Sequence, residues 1–447
     1  MNKYSLSALV AAGLLAGGLT AGTAQAADLG GNCCADLEER VAELEATVAR
    51  KGNRKVSLTI SGWVAEQISW WDDGVEQNTY VGGIGFTLRT NFKLAGEAKI
   101  SADMSAGYLL HVELNTSDPA LNMNQNVDDG NNALNVLQSL WFLKSNTYGK
   151  LSVGQMSHAS DNAAILVDGS GSLVPANWVH FDGLSFFLRV NGGPVTTQTW
   201  ANLAYCNHIQ AGFSGDCNGA PNNAVRYDSP TLGGFSLSAS WGEDDFWDAT
   251  ARYAGEFSGI KLAGVVSWSH FSDENGLAAT VRRQDSDHFQ AGLYVQHVPT
   301  GLFVYGAYSK EFNDNLHPAA IAGADPLQPD GDKWYLKAGI RQKWTPLGHT
   351  VLYGEYSKNN DMFYGGLANP GAGRAVTGSE LRQWGVGVVQ EIDAAAMSIW
   401  LAYRNLDGSY DCNAAVAGNL CANLGGTVAG VDFDQLHVIK FGALIAF

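Results

Sequence analysis

Apolar and polar side chains alternate along most of the chain, from Val56 to the last residue, Phe447. In the final segment, 437–447, every odd position from Ile439 onward is apolar, whereas the even positions include Lys440. A period of two is typical of a β-strand with one apolar face. Because a terminal strand of about ten residues must be paired along its length, the pattern predicts that this segment joins another strand.

The same alternation recurs in many segments upstream. Several of them have about ten or more residues, which exceeds the five or six common in soluble sheets and matches a tilted membrane-spanning strand. The apolar faces are plainest at 56–60, 84–88, 100–114, 134–142, 260–268, 334–340 and 397–403. We therefore predict long strands that are apolar on one side and polar on the other.

The connections between these segments alternate in length. Short turns are predicted at 95–96, 147–149, 231–234, 258–259, 299–301, 346–348 and 393–395. Longer loops, mostly rich in Gly, Asn and Asp, are predicted at 71–79, 116–132, 157–222, 242–246, 271–287, 311–331, 360–378 and 407–431. Seven turns and eight loops join sixteen strands. Turns on one side and long loops on the other are typical of an outer-membrane barrel.

These patterns predict an all-β fold, a 16-stranded antiparallel transmembrane β-barrel formed by residues 53–447. In hydrocarbon every backbone donor and acceptor must be paired, so a sheet can cross a membrane only when it closes and has no free edge. We expect the terminal strand to close the ring against the first, near 56–70. A large soluble β-sandwich is the alternative, but its strands are seldom this long.

The amino-terminal residues precede the barrel pattern and have other signals. Residues 1–26 combine Lys3, an apolar stretch and an Ala-Gln-Ala cleavage site, which predicts a secretory signal peptide. In residues 27–52, Leu37, Val41, Leu44 and Val48 follow a heptad spacing and predict a short helix. This helix either forms a coiled coil that links copies of an oligomer or lies alone on the body of the protein.

Composition and motifs exclude several classes of function. The formal net charge is −17, and a chain this acidic has no general affinity for nucleic acid. Phosphate-binding and dinucleotide-binding fingerprints are missing from the sequence, and the ten histidines do not recur at metal-ligand spacing. We expect no cofactor, no bound metal and no enzymatic activity.

The six cysteines predict two local disulfides in an exported protein. Cys206 and Cys217 lie eleven residues apart in one Gly/Asn-rich stretch, and Cys412 and Cys421 lie nine apart in another. Cys33 and Cys34 then remain, and they either pair between chains or stay reduced.

Several stretches resemble known porins. The segment "NAVRYDSPTLGGFSLSASW" (223–241) and the terminal Phe447 are similar to general bacterial porins. The segments "CCADLEERVAELEATVARKGNRKVSLTISG" (33–62) and "GQMSHASDNAAILVDGSGS" (154–172) resemble the rhizobial-type porins of alphaproteobacteria. The resemblance implies a homotrimer in the outer membrane among lipid and lipopolysaccharide. It also implies a third extracellular loop that folds inward, and insertion by the barrel-assembly machinery, which reads Phe447.

The longest loop, about 157–222, occupies the place of that inward-folded loop. Its carboxylates Asp161, Asp168 and Asp182 are predicted to face basic side chains across the lumen and to create a transverse field. The alternative is that they are hydrated surface acids. We expect the part of the loop beyond Cys206 to lie at the surface.

Strand alternation places basic side chains inside the barrel. A charge on the lipid face near the midplane would cost about 2 to 4 kcal/mol, so inward positions are favoured. In the predicted strand at 84–88, Ile84, Phe86 and Leu88 would face lipid, which turns the next residue inward. The predicted basic wall consists of Arg89, Arg226, Arg252, Lys337, Arg341, Arg404 and Lys440.

The function that these features predict is passive diffusion of small hydrophilic solutes and ions, with a mild cation preference from the loop acids. A substrate-selective channel, for example for sugars, is an alternative. A barrel hydrolase using Ser157 or His158 is a third possibility, which has little support because no nucleophile-elbow motif is present.

Overall fold

The fold is one antiparallel sheet that closes on itself. A computed structural model describes residues 55–85, 87–115, 117–130, 133–208, 215–217, 221–243, 245–273, 284–313, 329–368 and 372–447. The predicted signal peptide, the predicted helix or coiled coil of 27–52, and Cys33 and Cys34 lie outside these residues. The strands are β1 Thr59–Asp72, β2 Gln77–Gly82, β3 Asn91–Lys99, β4 Met104–Asn115, β5 Ala133–Ser145, β6 Gly149–Met156, β7 Asn222–Asp228, β8 Phe235–Gly242, β9 Trp247–Phe257, β10 Ile260–Asp273, β11 Gln284–His297, β12 Leu302–Asn313, β13 Gly331–Thr345, β14 Gly348–Asn360, β15 Val376–Ile392, β16 Met397–Cys412, β17 Gly430–Asp432 and β18 Leu436–Ala446.

Sixteen crossings are built from these eighteen strands within the described residues. Both β2 and β3 pair with β1, at opposite ends of it, so together they form one crossing that is interrupted at 83–90. Likewise, β17 and β18 both pair with β16 and form the last crossing. The predicted number of strands is therefore confirmed.

The ring closes between the last strand and the first. Strand β18 pairs antiparallel with β1, from Trp63 opposite Ala446 to Asp72 opposite His437. Gly62 and Phe447 add two backbone hydrogen bonds, each 3.1 Å long. The terminal strand thus has a partner on both sides, as predicted, and the sheet has no free edge there.

Side chains alternate between an apolar outer face and the interior. In β18, Ile439 and Phe441 are 40% and 51% exposed on the outside, whereas Val438 and Lys440 are buried inside. The exposed outer positions of the other strands are mostly Leu, Val, Ile, Phe and Trp as well. This alternation confirms the predicted faces and leaves charged side chains in the barrel interior.

The predicted turn at 95–96 is wrong. Both residues lie within β3, and the chain reverses at 100–103 instead. A side chain at Gly96 would collide with the ring of Tyr108 and with the Ser57 carbonyl oxygen. This glycine therefore makes room for a cross-strand aromatic ring and does not form a turn. The other predicted turns all fall at the junctions of consecutive strands.

The predicted lipid-facing strand at 84–88 is also wrong. Gly85 and Thr87 have positive φ angles of 119° and 67°, which interrupt the extended backbone between β2 and β3. Ile84 and Leu88 turn inward and are only 4% and 5% exposed. Phe86 lies outside the described residues.

Within the residues that the structure describes, helical structure is limited to single turns. The 3₁₀ turns are Ile165–Val167, Trp200–Leu203, Gly365–Ala368 and Asp393–Ala395, and a short α-helix spans Leu420–Asn423. Of the helices in the described ranges, none is long and apolar enough to cross a membrane.

Candidate functional site

The segment 157–221, here called the constriction loop, folds into the barrel. Residues along its described length are fully buried, including His158, Ala176, Leu203 and Cys217. The prediction of a surface position beyond Cys206 is wrong for the residues described there, because Asn207, His208, Asp216 and Cys217 are buried. The His208 ring is buried between Ser286 Oγ, 2.8 Å from Nδ1, and Ser269 Oγ, 2.9 Å from Nε2.

Two apolar cores hold the constriction loop against one side of the barrel. In the first core, Ile165, Val167 and Trp178 pack among inward aromatic side chains such as Tyr305 and Tyr335. In the second core, the loop residues are Leu184, Phe186, Leu188, Trp200 and Leu203, and the partners include Trp71, Leu381, Leu406 and Tyr410. Burial of this much apolar surface fixes the loop on the wall made by β10–β16, β18 and β1, here called the clamped wall.

Ion pairs reinforce this attachment. Asp168 Oδ2 lies 2.5 Å from Lys337 Nζ, which also donates to the carbonyl oxygen of Ala176 at 2.8 Å. Asp182 Oδ2 lies 2.5 Å from both Arg404 Nη1 and Lys440 Nζ. These loop acids therefore touch basic side chains directly instead of facing them across an open lumen, because buried charges need a partner in contact.

The third loop acid, Asp161, has a different kind of partner from Asp168 and Asp182. It accepts a hydrogen bond from Asn162 Nδ2 at 2.6 Å. Nearby, Asp216 accepts from the Asn162 backbone N–H at 3.2 Å and from Gln290 Nε2 at 3.1 Å. Burial, followed by the negative charge of Asp161, raises the pKa of Asp216 to about 8. Burial also raises the pKa of Asp161.

The remaining predicted basic residues lie inside the barrel but do not contact those three acids. Arg226 Nη1 donates to the carbonyl oxygens of Ser157 and His158, and Arg252 Nη2 donates to that of Ala159 at 2.6 Å. These two arginines hold the start of the constriction loop. Two others pair elsewhere, Arg341 with Glu391 and Arg89 with Asp118, each at 2.7 Å.

A small pocket remains between the first and last residues of the constriction loop and the opposite wall. Its wall side carries Lys93, His111 and Gln138, which lie opposite one another on β3, β4 and β5. Its loop side carries Asp161 and Asn162. Trp63, Thr87, Leu137, Ser157 and Pro221 complete the lining. We call this space the constriction gap.

Lys93 and His111 are functional candidates that were not predicted from the sequence. The signal was available, because Lys93 alternates with Phe92 and Leu94, and His111 alternates with Leu110 and Val112. The turn wrongly predicted at 95–96 hides this signal, because it would end the strand just after Lys93. In the structure Lys93 lies within β3, with its side chain inside the barrel. In the structure, Lys93 Nζ lies 4.8 Å from the centroid of the inward Trp63 ring.

The disulfides occupy two different loops. Cys206 and Cys217, with Cα atoms 5.2 Å apart, are bonded inside the barrel. Cys412 and Cys421, with Cα atoms 6.1 Å apart, are bonded in the last long loop.

The histidine of the hydrolase alternative, His158, is part of a buried hydrogen-bond cluster with Ser160 and Asp248. Asp248 Oδ2 accepts from Ser160 Oγ at 2.7 Å and lies 2.8 Å from His158 Nδ1. Ser160 Oγ is near the same ring nitrogen, at 3.3 Å. In a catalytic triad the serine and the aspartate contact opposite ring nitrogens, so this arrangement is not one. Across the described ranges, no three His, Cys, Asp or Glu side chains are grouped to hold a metal ion.

Comparisons with known proteins agree with this architecture. Residues 7–419 match the model of the Gram-negative porin family. The anion-selective porin from Comamonas acidovorans has a similar structure, with a TM-score of 0.53, 15% identity, and coverage of 88% of this chain and 100% of that chain. OmpT, an outer membrane protein of Vibrio cholerae, gives a TM-score of 0.50, 13% identity, and coverage of 90% and 100%. No curated protein matches the chain. The chain belongs to the Gram-negative porin family and is a β-barrel channel protein of the outer membrane.

Proposed function

We propose that this porin is a general diffusion channel, through which small hydrophilic solutes and ions cross the outer membrane passively. The observation that carries the proposal is the constriction gap. The constriction loop is fixed to the clamped wall, and the gap on its other side is lined by Lys93, His111 and Gln138 of the opposite wall and by Asp161 and Asn162 of the loop itself. Such side chains exchange hydrogen bonds with water and with polar solutes at little cost.

Within this proposal the predicted site residues have two roles. Asp161 faces Lys93 and His111 across the constriction gap and supplies the negative side of a transverse field. Asp168 and Asp182, with Lys337, Arg404 and Lys440, hold the loop in place and so set the width of the gap. Arg226 and Arg252 hold its first residues.

The mild cation preference predicted from the sequence has reduced support. It depended on three loop carboxylates, and two of them are neutralised by direct ion pairs. Only Asp161 faces the constriction gap. Reversal potentials of single channels in a KCl gradient measure this preference, and Asp161→Asn should reduce it if Asp161 is its source.

A sugar-selective channel needs aromatic side chains along the passage. The inward rings of β11–β14, such as Tyr294, Phe303, Tyr335 and Tyr353, are buried beneath the constriction loop. Trp63 is the aromatic residue that lines the constriction gap among the described residues. The geometry therefore favours general diffusion over a sugar track.

Further parts of the proposal concern assembly. We propose a homotrimer of rhizobial-type alphaproteobacterial affinity, surrounded by lipid and lipopolysaccharide. The carboxylate of Glu66, which lies on the outer face of β1, supports contact between copies of the chain. We also propose that the barrel-assembly machinery reads the last strand, because Phe447 completes the ring through both of its backbone hydrogen bonds to Gly62.

Thiol labelling tests the position of the passage. In a Cys33→Ser/Cys34→Ser background, Gln138→Cys places a thiol in the constriction gap, and Ser357→Cys places one on β14, which belongs to the clamped wall. A bulky charged methanethiosulfonate reagent should lower single-channel conductance at Gln138→Cys and leave Ser357→Cys unchanged. Equal effects at both positions, or none at Gln138→Cys, would refute the proposed passage.

A further inference from the structure

Four basic side chains lie on the inner wall of β5–β9 near the short turns, which is the periplasmic end of the barrel. They are Lys144, Lys150, Arg226 and Arg252. The side chains of Lys150 and Arg226 are 35% and 21% exposed, and Lys144 and Arg252 are also partly exposed. By contrast, Lys337 and Lys440, which pair with loop acids on the clamped wall, are at most 2% exposed. The first group therefore faces the aqueous lumen.

Two of these cations are direct cross-strand neighbours. Lys144 on β5 lies opposite Lys150 on β6. Like charges in such positions repel each other and destabilise the strand pair. Arg226 on the next strand is close enough to Lys150 to add to this repulsion. A fold that brings these charges together gains stability when an anion binds between them.

Asp228 is the carboxylate in direct contact with two of the four cations. Asp228 Oδ1 accepts from Arg226 Nη2 at 2.8 Å and from Ser238 Oγ at 2.8 Å, and Asp228 Oδ2 lies 3.7 Å from Lys150 Nζ. Ser238 in turn accepts from Arg252 Nη1 at 3.2 Å. The cluster is defined as these four cations with Asp228 and Ser238. Asp161 and Asp248 act on Arg252 as well, so the excess positive charge lies at Lys144 and Lys150, and the acid beside this pair is Asp228.

The nearest acidic turn residue is committed elsewhere. Asp103 bonds to Ser145 Oγ at 2.5 Å and to Thr147 Oγ1 at 3.0 Å, and so caps the turn between β5 and β6. In the described part of the chain, neither Lys144 nor Arg252 makes an ion pair. The aromatic ring of Phe142 also lies beside the cluster, with its centroid 5.7 Å from Lys150 Nζ.

We propose that this cluster is an anion-binding site at the periplasmic mouth of the pore, for small free solutes with two or more negative charges, such as inorganic phosphate. This inference rests on the proposed diffusion function and names a class of solute for it. A multivalent anion can contact several cations at once, and charge-assisted hydrogen bonds to Lys and Arg suit phosphate and carboxylate oxygens. The site faces the lumen, so lipid headgroups cannot reach it. It also gives the open channel an anion preference, contrary to the sequence-based prediction.

The test uses the purified full-length protein in planar bilayers. Inorganic phosphate is added to a chloride solution, and reversal potentials are measured in a KCl gradient. Lys144→Gln/Lys150→Gln removes the like-charge pair and leaves the arginines that hold the constriction loop. Lys343→Gln is the matched control, because its Nζ is already paired with Asp393 at 3.0 Å and its side chain is 51% exposed.

We expect phosphate to reduce chloride current saturably in the wild type and in Lys343→Gln. In the double variant this reduction should disappear, and the chloride-to-potassium permeability ratio should fall by roughly threefold or more, since local counter-ion concentration follows the wall charge. A cation-selective wild type, or a double variant that behaves like Lys343→Gln, would overturn the inference. Absence of any channel activity would instead contradict the proposed diffusion function.

Discussion

At the scale of single residues, two aspartates of the constriction loop, Asp182 and Asp216, have pKa values that shift in opposite directions. Both are buried in the constriction loop. Burial disfavours each negative charge, but contact with Lys440 and Arg404 lowers the pKa of Asp182. Asp216 has the neighbouring Asp161 instead, and its pKa is raised to about 8. The first carboxylate stabilises the loop when charged, and the second does so when protonated.

Asp182→Asn should destabilise the constriction loop at neutral pH. The change leaves Arg404 and Lys440 buried without their shared carboxylate, and breaking a buried pair in this way costs about 3 to 5 kcal/mol. Because the folded pKa of Asp182 is lowered, the wild type keeps this contribution above pH about 4 and loses it at lower pH. Thermal unfolding in detergent at pH 7, with current noise in bilayers, measures the effect. An unchanged melting temperature and quiet channels would contradict this assignment.

Asp216→Asn should change the pH dependence of stability with the opposite sign. A carboxyl whose folded pKa is raised to about 8 loses stability progressively as pH rises from about 4 to 8. Wild-type protein should therefore melt at a lower temperature at pH 9 than at pH 6, and Asp216→Asn should reduce this difference. Melting curves at the two pH values test the prediction, which fails if both proteins show the same slope.

At the scale of elements, the constriction loop is held by apolar cores, ion pairs and one disulfide. Cys206–Cys217 joins two buried parts of the loop, and His208 attaches the first part to β10 and β11. Cys412–Cys421 spans a similar number of residues in the last long loop. The two disulfides close loops of similar length, but only the first lies in the constriction loop. The second is therefore a matched control for the first.

Cys206→Ser/Cys217→Ser should loosen the constriction loop. Loss of a disulfide that closes a short loop costs about 2 to 4 kcal/mol. Single-channel recordings should then show larger current fluctuations and more frequent conductance steps than in the wild type. Cys412→Ser/Cys421→Ser serves as the control and should change the fluctuations less. If the two variants are equally noisy, the inner disulfide has no special role in the pore.

Strand alternation and turn residues were sufficient to predict the barrel, because each depends on sequence-local geometry. The inward positions of Lys337 and Lys440 followed from that alternation alone. The failures depended on contacts between distant residues. Gly96 was mistaken for a turn because its partner, the Tyr108 ring, belongs to the next strand. The depth of His208 could not be predicted, since its partners Ser269 and Ser286 lie far along the chain.

At the scale of the whole molecule, the outer face of β1 is unusual near its middle. Glu66 lies on it, between Val64 and Ile68, which are 46% and 45% exposed. At the same height the second crossing is interrupted, and the Ala65 backbone N–H donates to Thr90 Oγ1 at 3.1 Å instead of to a strand partner. A carboxylate and a broken ladder are both unfavourable against hydrocarbon. We therefore expect another copy of the chain to cover this region.

The variant Glu66→Leu distinguishes contact of this face with lipid from contact with another copy of the chain. Against lipid, leucine would be the better residue, and the proposed trimer of the variant would resist heat as well as that of the wild type or better. Against a neighbouring copy, the group that pairs with the Glu66 carboxylate would be left unpartnered, and the trimer band on a gel should collapse at a lower temperature. Leu293→Ala, a change on the opposite outer wall where the side chain is 51% exposed, should leave the band unchanged. A Glu66→Leu trimer as heat-resistant as the wild type would place the interface elsewhere.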